Sequence, residues 1–486
     1  MHRPAHQGSP GSTKSLLLGV LLIAQLMVIL DISAVNVALP DMAKDLGIEG
    51  SNVGWAITSY SLIFGSLLLL GGRAADLLGR RRVFLAGLSV FTVSSLISAL
   101  AASATALFAA RAGQGLGAAM LSPAALSIIV TSFKGPERTK ALGAWGAVGG
   151  AGAAIGVLLG GALTELDWRA IFYINLPVGL VLAVAALKVV PAEPSRPQWR
   201  GLDLPGAAVA TGSLAAIVYA ISQADTAGWT STQTLGVGAL GLAGLAAFVA
   251  LELRVSQPLL RVQRLTDRAV GGGFALMLAA SAVLFGAFLL TSIYLQSVLG
   301  TGPLETGLAF LPLAIATGAG AHVGSQLVSH AGVRIPMASG FAVTALGMLL
   351  LTGVDANGSY LADVLPGMLV AGIGLGVVLV SVAVSVLTGA KDEETGMLSG
   401  LNTTGHEIGG SLGIAVLVTI ATAAVGGGAG SLSGGSVGQL VSGLGDAYMA
   451  AGAIALAGSL VALVVLPSAR TFLPKLRLAP STMPIH

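Results

Sequence analysis

The chain predicts an all-α polytopic membrane protein of fourteen spanning helices, and three observations predict it. Hydrophobic residues make up 55% of the 486 and charged residues only 9%, against roughly 25% charged in soluble domains. Apolar runs of the roughly 20 residues needed to cross a bilayer recur fourteen times. Lys and Arg fall on alternate connections between those runs, the pattern that sets membrane topology.

Composition narrows the function classes. The mean hydropathy is +0.89, and no sizeable polar stretch remains to form an attached soluble domain. Cysteine is absent, which excludes disulfides, thiolate metal sites and a Cys nucleophile. The six His show no zinc-protease spacing, so neither a metal nor a cofactor is expected. No Gly-x-x-x-x-Gly-Lys-Ser/Thr phosphate cradle appears, which argues against an ATP-driven pump, and no enzyme activity is expected. The net charge of +3 and a pI near 9.3 read as topological bias, not as a nucleic-acid surface. The Ala/Gly-rich, Lys-poor composition points to a high-GC bacterial source, hence a bacterial cytoplasmic membrane.

The elements follow in order. Residues 1–15 read as a polar tail, and the first apolar run is expected to be a retained helix rather than a cleaved signal. The runs centre near Gln25, Leu62, Phe91, Ala118, Ala151, Val181, Leu214, Leu245, Val283, Leu313, Leu346, Ile373, Leu412 and Ala457. Six of them fill an N-terminal bundle over 16–190 and six a C-terminal bundle over 268–468. Two more sit in a linker over 191–267, and 469–486 forms a second tail. All but three of the 24 Lys and Arg map to the tails or to connections on their side. The exceptions are Lys44 and Arg169 opposite, and Arg111 inside a helix. Both termini are therefore expected in the cytoplasm.

Charges inside apolar runs are the candidate functional residues. Asp31 lies within the first run, where an ionised side chain costs about 2.5–3.5 kcal/mol on insertion scales. Arg111 in the fourth run shares a helix face with Gln114 at i,i+3 spacing, and Asp31 is its candidate partner. Glu407, near Gly409 and Gly413, is expected to face a groove between helices as a second proton site or an anionic contact for cationic compounds. Static hydrogen-bonded pairing is the alternative for all three. The loop after the second run holds Gly72, Asp76, Gly79, Arg80, Arg81 and Arg82. Its glycines permit a tight turn, and Asp76 can pair with an Arg or accept from a helix N-terminus, forming a conformational latch. The fifth run carries Gly152, Gly156, Gly160 and Gly161 among eight glycines, which allow either close helix packing or a gating bend. Asn36, Trp55, Tyr60, Gln114, Trp145, Phe285, Tyr294, Asn402 and His406 are candidates for a substrate cavity, with core packing as the alternative for each.

These segments resemble the major facilitator superfamily. Its signature loop G-x-L-A-D-R-x-G-R-K is matched at Gly72, Ala75, Asp76, Gly79 and Arg80, while Ala74, Leu77 and Arg81 replace Leu, Arg and Lys. Its fourth-helix motif R-x-x-Q-G-x-G-A-A is complete from Arg111 to Ala119. Gly156-Val157-Leu158-Leu159-Gly160-Gly161 is similar to the antiporter motif without its Pro. Trp168 to Gly179 and Leu30 to Pro40 resemble two segments of the fourteen-helix drug:proton antiporters. The resemblance implies two six-helix bundles plus two inserted helices, Arg111 in proton transfer, and proton-driven export of small amphipathic drugs or antibiotics. The expected partners are that substrate, protons and the lipid bilayer, with the chain a monomer. A proton-coupled importer of a small metabolite with the same fold is the alternative.

Overall fold

The computed structural model describes residues 10–48, 55–192, 203–255, 258–423 and 436–477, and every regular element among them is helical. The first group is α1 (Pro10–Leu46), α2 (Trp55–Leu78), α3 (Arg80–Ala99), α4 (Ala104–Ser132), α5 (Gly135–Thr164), the short α6 (Ala170–Tyr173) and α7 (Asn175–Val189). Next come α8 (Leu204–Ala227) and α9 (Thr232–Glu252). The second group is α10 (Arg268–Ile293), α11 (Pro303–Ala309), α12 (Leu311–Ala331), α13 (Arg334–Leu351), α14 (Leu365–Leu387), α15 (Thr395–Ala423), α16 (Val437–Val465) and the terminal α17 (Ala469–Arg477).

Among the described residues, twelve helices are long and apolar enough to cross a membrane. The other two predicted runs fall in α5 and α8, 30 and 24 residues long, whose described apolar stretches are shorter, Ile155–Thr164 and Pro205–Ile221. Helix starts follow local chemistry. Ser103, Asp203, Ser231, Asp267 and Ser436 each accept a backbone N–H in the first turn of the helix they precede, satisfying donors that a helix leaves open. Gly79, at φ 98, makes the turn between α2 and α3 that only glycine adopts freely.

Helix extends into both predicted tails where they are described. α1 already begins at Pro10, a residue suited to a first helical position. From 469 the chain forms α17, which docks on α12 and buries Phe472. The rest of both tails, residues 193–202 of the linker, and with them Arg3, Arg196 and Arg200, lie outside the described residues.

The two groups pack alike. In the first, α1 lies on α5, α2 on α4, and α3 on α4 and α7; in the second, α10 lies on α15, α12 on α14, and α13 on α14 and α16. Counted within each bundle, the pairs are the same: first with fifth, second with fourth, third with fourth and sixth. The bundles meet through α5 on α12 and α2 on α15, which exchange under a pseudo-twofold, the signature of internal repeats. The α8–α9 hairpin lies against α2 and α15, so it covers one of the two seams between bundles. α1 begins and α16 finishes at one end of the molecule, the terminal end below; the α1–α2 and α3–α4 connections lie at the opposite, far end.

Candidate functional site

Toward the far end, four helices of the first bundle converge on Asp31. It is 2% exposed, and Arg111 on α4 is 1% exposed. The Arg111 guanidinium donates through Nη1 to Asp31 Oδ2 as a buried ion pair. Asp31 Oδ1 accepts from Gln114 Nε2 at 2.8 Å and from Asn175 Nδ2 at 3.0 Å. Arg111 also donates through Nε to the Ala56 carbonyl at 2.9 Å and through Nη1 to Gln114 Oε1 at 3.0 Å. Ser95 Oγ accepts from Gln114 at 2.8 Å and Asn175 at 3.3 Å, and Ser98 Oγ donates to Gln114 Oε1 at 3.2 Å. The Tyr60 ring covers the guanidinium with its centroid 4.5 Å from Cζ, and the Phe172 ring lies 5.9 Å away. A carboxylate thus supplied with three donors is compensated for its burial, while removing any one leaves an unpaired group in a dry interior.

The glycines of α5 stand behind this pair. A methyl group at Gly152, Gly156 or Gly160 would collide with Ile29, Ser33 or Ala34 of α1, reaching Ser33 Cβ at 2.6 Å and Ala34 Cα at 2.6 Å. Gly161 is buried beside them. α5 is one continuous helix, and its small face lets α1 approach over the turn that carries Asp31. Because α5 also packs on α12, the carboxylate sits one helix away from the seam between bundles.

At the terminal end, Asp76 crosses the other seam, where α2 meets α15. Its carboxylate accepts from the backbone N–H of Gly396 at 2.8 Å and of Met397 at 2.9 Å. A side chain of the first bundle therefore caps α15 of the second, where the helix dipole favours an anion. Arg80 lies 3.6 Å from Asp76 and donates to Thr395 Oγ1 at 3.0 Å and Ser127 Oγ at 2.8 Å. Ser127 Oγ and Thr395 Oγ1 are themselves 3.0 Å apart. Gly72 makes the approach possible, since a Cβ there would strike the carbonyl of Gly396. Arg81 turns away and donates to the Leu187 carbonyl at 2.6 Å. A second clamp stands close by, with Glu394 accepting from Arg264 and, at 2.5 Å, from Arg261. Burial pushes Glu394 up, but the hydrogen bonds and charge of Arg264, with the charge of Arg261, hold it below the ordinary glutamate value.

In the second bundle Glu407 and the glycines near it face different neighbours. Gly409 and Gly413 admit the α10 backbone at Leu278 and Ala282, and the residue sharing that face is His406, whose Nδ1 pairs with Ser281 Oγ at 2.6 Å. One residue further round the helix, Glu407 turns off the α10 groove. Its half-buried carboxylate makes no hydrogen bond among the described residues and lies within electrostatic reach of Tyr60.

The other cavity candidates scatter. Phe285 meets the His406 ring in a tilted contact, with centroids 5.1 Å apart. Asn402 is buried with Oδ1 unpartnered. Trp145 is packed in the core, and Tyr294 donates to the Asp355 carbonyl at 2.8 Å near the far end. Trp55 meets Tyr219 of α8 at 6.4 Å, and Asn36 is exposed, bonding only the Ile32 carbonyl of its own helix. Asn175, Ser95, Ser98, Ser127 and Thr395 are functional neighbours with no predicted role. Of these only Asn175 carried a signal, within the segment Trp168 to Gly179.

The same segment supplies a far-end fastening. Asp45 Oδ2 takes Arg169 Nη1 at 2.7 Å and Trp168 Nε1 at 3.2 Å, and Arg169 also donates to the Ala101 carbonyl at 3.3 Å. The Arg169 hydrogen bond, followed by that of Trp168, holds Asp45 below its ordinary value.

Comparisons with known proteins agree with this architecture. A sequence model described as Major Facilitator Superfamily matches residues 21–414. The chain is 40% identical over 410 residues to the puromycin resistance protein pur8 of Streptomyces alboniger, covering 83% of this chain and 81% of that protein. It is 39% identical over 446 residues to the cephamycin export protein CmcT of Amycolatopsis lactamdurans, covering 91% and 90%. In three dimensions it resembles the human organic anion transporter MFSD10 (TETRAN), with a TM-score of 0.64 at 15% identity over 92% of this chain and 99% of that one, a likeness of fold.

Proposed function

The chain belongs to the major facilitator superfamily, and from that premise we propose that it is a proton-coupled exporter of small amphipathic compounds, antibiotics among them, across a bacterial cytoplasmic membrane. Relatives named for antibiotic resistance and export, similar over most of their length, support the direction and the substrate class. The observation that carries proton coupling is the buried Asp31–Arg111 pair. An acid held among Arg111, Gln114 and Asn175 changes its bonding completely when it gains a proton.

In this reading, ionised Asp31 holds α1 to α4 and α7. Protonation from the far side removes the charge, so Arg111 loses its partner and the α1–α4 contact loosens. The glycine-lined contact passes the change to α5, and α5 passes it to α12 across the seam. The Asp76 cap, Arg80 and the Ser127–Thr395 pair then part at the terminal end. With the termini in the cytoplasm, the clasped arrangement is the state closed to the cytoplasm, and release of the proton there resets the pair. A proton drives such an exchange only through unequal affinity for the two states, which the pair supplies if its geometry belongs to one of them. Glu407, facing Tyr60 from the other bundle, serves as the second acid of the pathway or as an anionic contact for cationic substrates. The working unit is a monomer.

The test uses vesicles of both orientations, an imposed pH step and a panel of puromycin-like, β-lactam and cationic dye substrates. Proton-driven accumulation in inverted vesicles, abolished to the background of empty vesicles by Asp31→Asn, is the expected result. Accumulation only in right-side-out vesicles would establish import instead. Undiminished pumping by Asp31→Asn would remove Asp31 from the coupling step.

A further inference from the structure

We infer that Asp203 and Glu252 hold one shared proton between them, forming a proton-binding site at the base of the α8–α9 hairpin. Asp203 opens α8 and Glu252 closes α9, so both lie at the terminal end. Each spends one oxygen on backbone: Asp203 Oδ1 accepts from Gly206 N at 3.0 Å, and Glu252 Oε2 from Leu260 N at 3.0 Å. The remaining two, Asp203 Oδ2 and Glu252 Oε1, are buried and have no donor among the described residues. They face one another. The two carboxyls are hydrogen-bond neighbours, and a methyl group at Gly206 would stand 2.6 Å from Glu252 Oε1 and closer still to Asp203 Oδ2. Glu252 is 3% exposed, so its orphaned oxygen is sealed in against another acceptor. Two carboxylates at this range cannot both be ionised in a dry setting, and one proton satisfies both lone oxygens as a coupled pair.

The charged surroundings tie this site to the latch. Besides Asp203, the groups acting on Glu252 are the amides of Leu259 and Leu260 and, from α2, Arg73. Arg73 is itself buried with Nε unpartnered, and it feels Asp76, Arg261 and Glu393 as well as Glu252. Loss of the shared proton adds an anion beside Arg73, in competition with Asp76. The hairpin base thereby senses pH on the terminal face and reports it to the helix that carries the latch. None of this depends on the direction of transport or on the cargo.

Infrared spectroscopy of the purified full-length chain in lipid nanodiscs reads the proton directly, without any transport assay. At neutral pH the protonated-carboxyl band is expected to lose the area of one group in Asp203→Asn, and the same area in Glu252→Gln. In either variant the new amide becomes the donor and the remaining acid ionises. Arg73→Gln, which keeps both acids but removes the neighbouring cation, is expected to retain the band to higher pH than the wild-type chain. The proposal is overturned if both acid variants keep the full band area, if Arg73→Gln leaves the titration unmoved, or if Na⁺ or K⁺ at constant pH abolishes the band by taking the proton's place.

Discussion

At the scale of single residues, the arrangement around Asp31 makes unequal predictions for its partners. Arg111→Ala leaves a carboxylate in the interior without its counter-charge, a loss of about 3–5 kcal/mol where a buried pair is broken from one side. Asn175→Ala removes one neutral donor of three and costs about 1–3 kcal/mol. Thermal melting of the purified chain should therefore fall far more for Arg111→Ala, and the double variant Asp31→Asn/Arg111→Gln should melt above Arg111→Ala alone. Much of this site was legible beforehand. A carboxylate and a guanidinium in two apolar runs have few ways to be tolerated, and Gln114 shares a face with Arg111 by spacing alone. Asn175, Ser95 and Ser98 were not legible, because small polar residues at helix ends are common and nothing local shows that four helices converge there. Which neighbour Glu407 faces was not legible either. Its neighbouring glycines mark a contact face, but the half-turn between residues 407 and 409 puts them on different sides of the helix.

Between elements, the contacts that matter combine glycine faces with caps that cross from one helix to another. Gly156→Val places methyl groups where Ser33 Cβ already stands within 2.6 Å of a Cβ position. Overpacking of this kind costs about 1–3 kcal/mol. It should also displace α1 from α5, so pH-driven flux is expected to fall more than the melting temperature does. The Glu394 clamp behaves differently because it titrates. Its value in the folded chain is lowered by Arg264 and Arg261, so its contribution is complete above the ordinary glutamate range and is lost as the pH falls through the lowered value. A spin label on Gln263→Cys, in a chain with no other cysteine, should be immobile at neutral pH and gain mobility only once the pH has fallen below the ordinary glutamate range. The same label in Glu394→Gln should be mobile throughout. The helices themselves could be read from apolar runs and loop charges. Which helix caps which could not, since the Asp76 cap on α15 joins positions 320 residues apart and appears only once the bundles are docked.

For the whole molecule, two similarly packed bundles meet along seams that must part for any passage through the centre. Ser127 and Thr395 stand across one seam with their hydroxyls 3.0 Å apart, so sulfurs in their place would need to close in by about 1 Å to bond. Ser127→Cys/Thr395→Cys is expected to cross-link under oxidation, stop transport, and recover on reduction; a cross-linked chain that still pumped would show that the terminal end need not open. The hairpin is fastened to both bundles. Val218 of α8 lies against Gly65 of α2, Tyr219 against Trp55, and the Trp229 indole donates to Thr419 of α15 at 2.7 Å. A strap pinned to two swinging parts has to slip at one of its pins. The Trp229 indole is thus a built-in strain gauge, and a change in its emission during turnover would reveal which pin gives way.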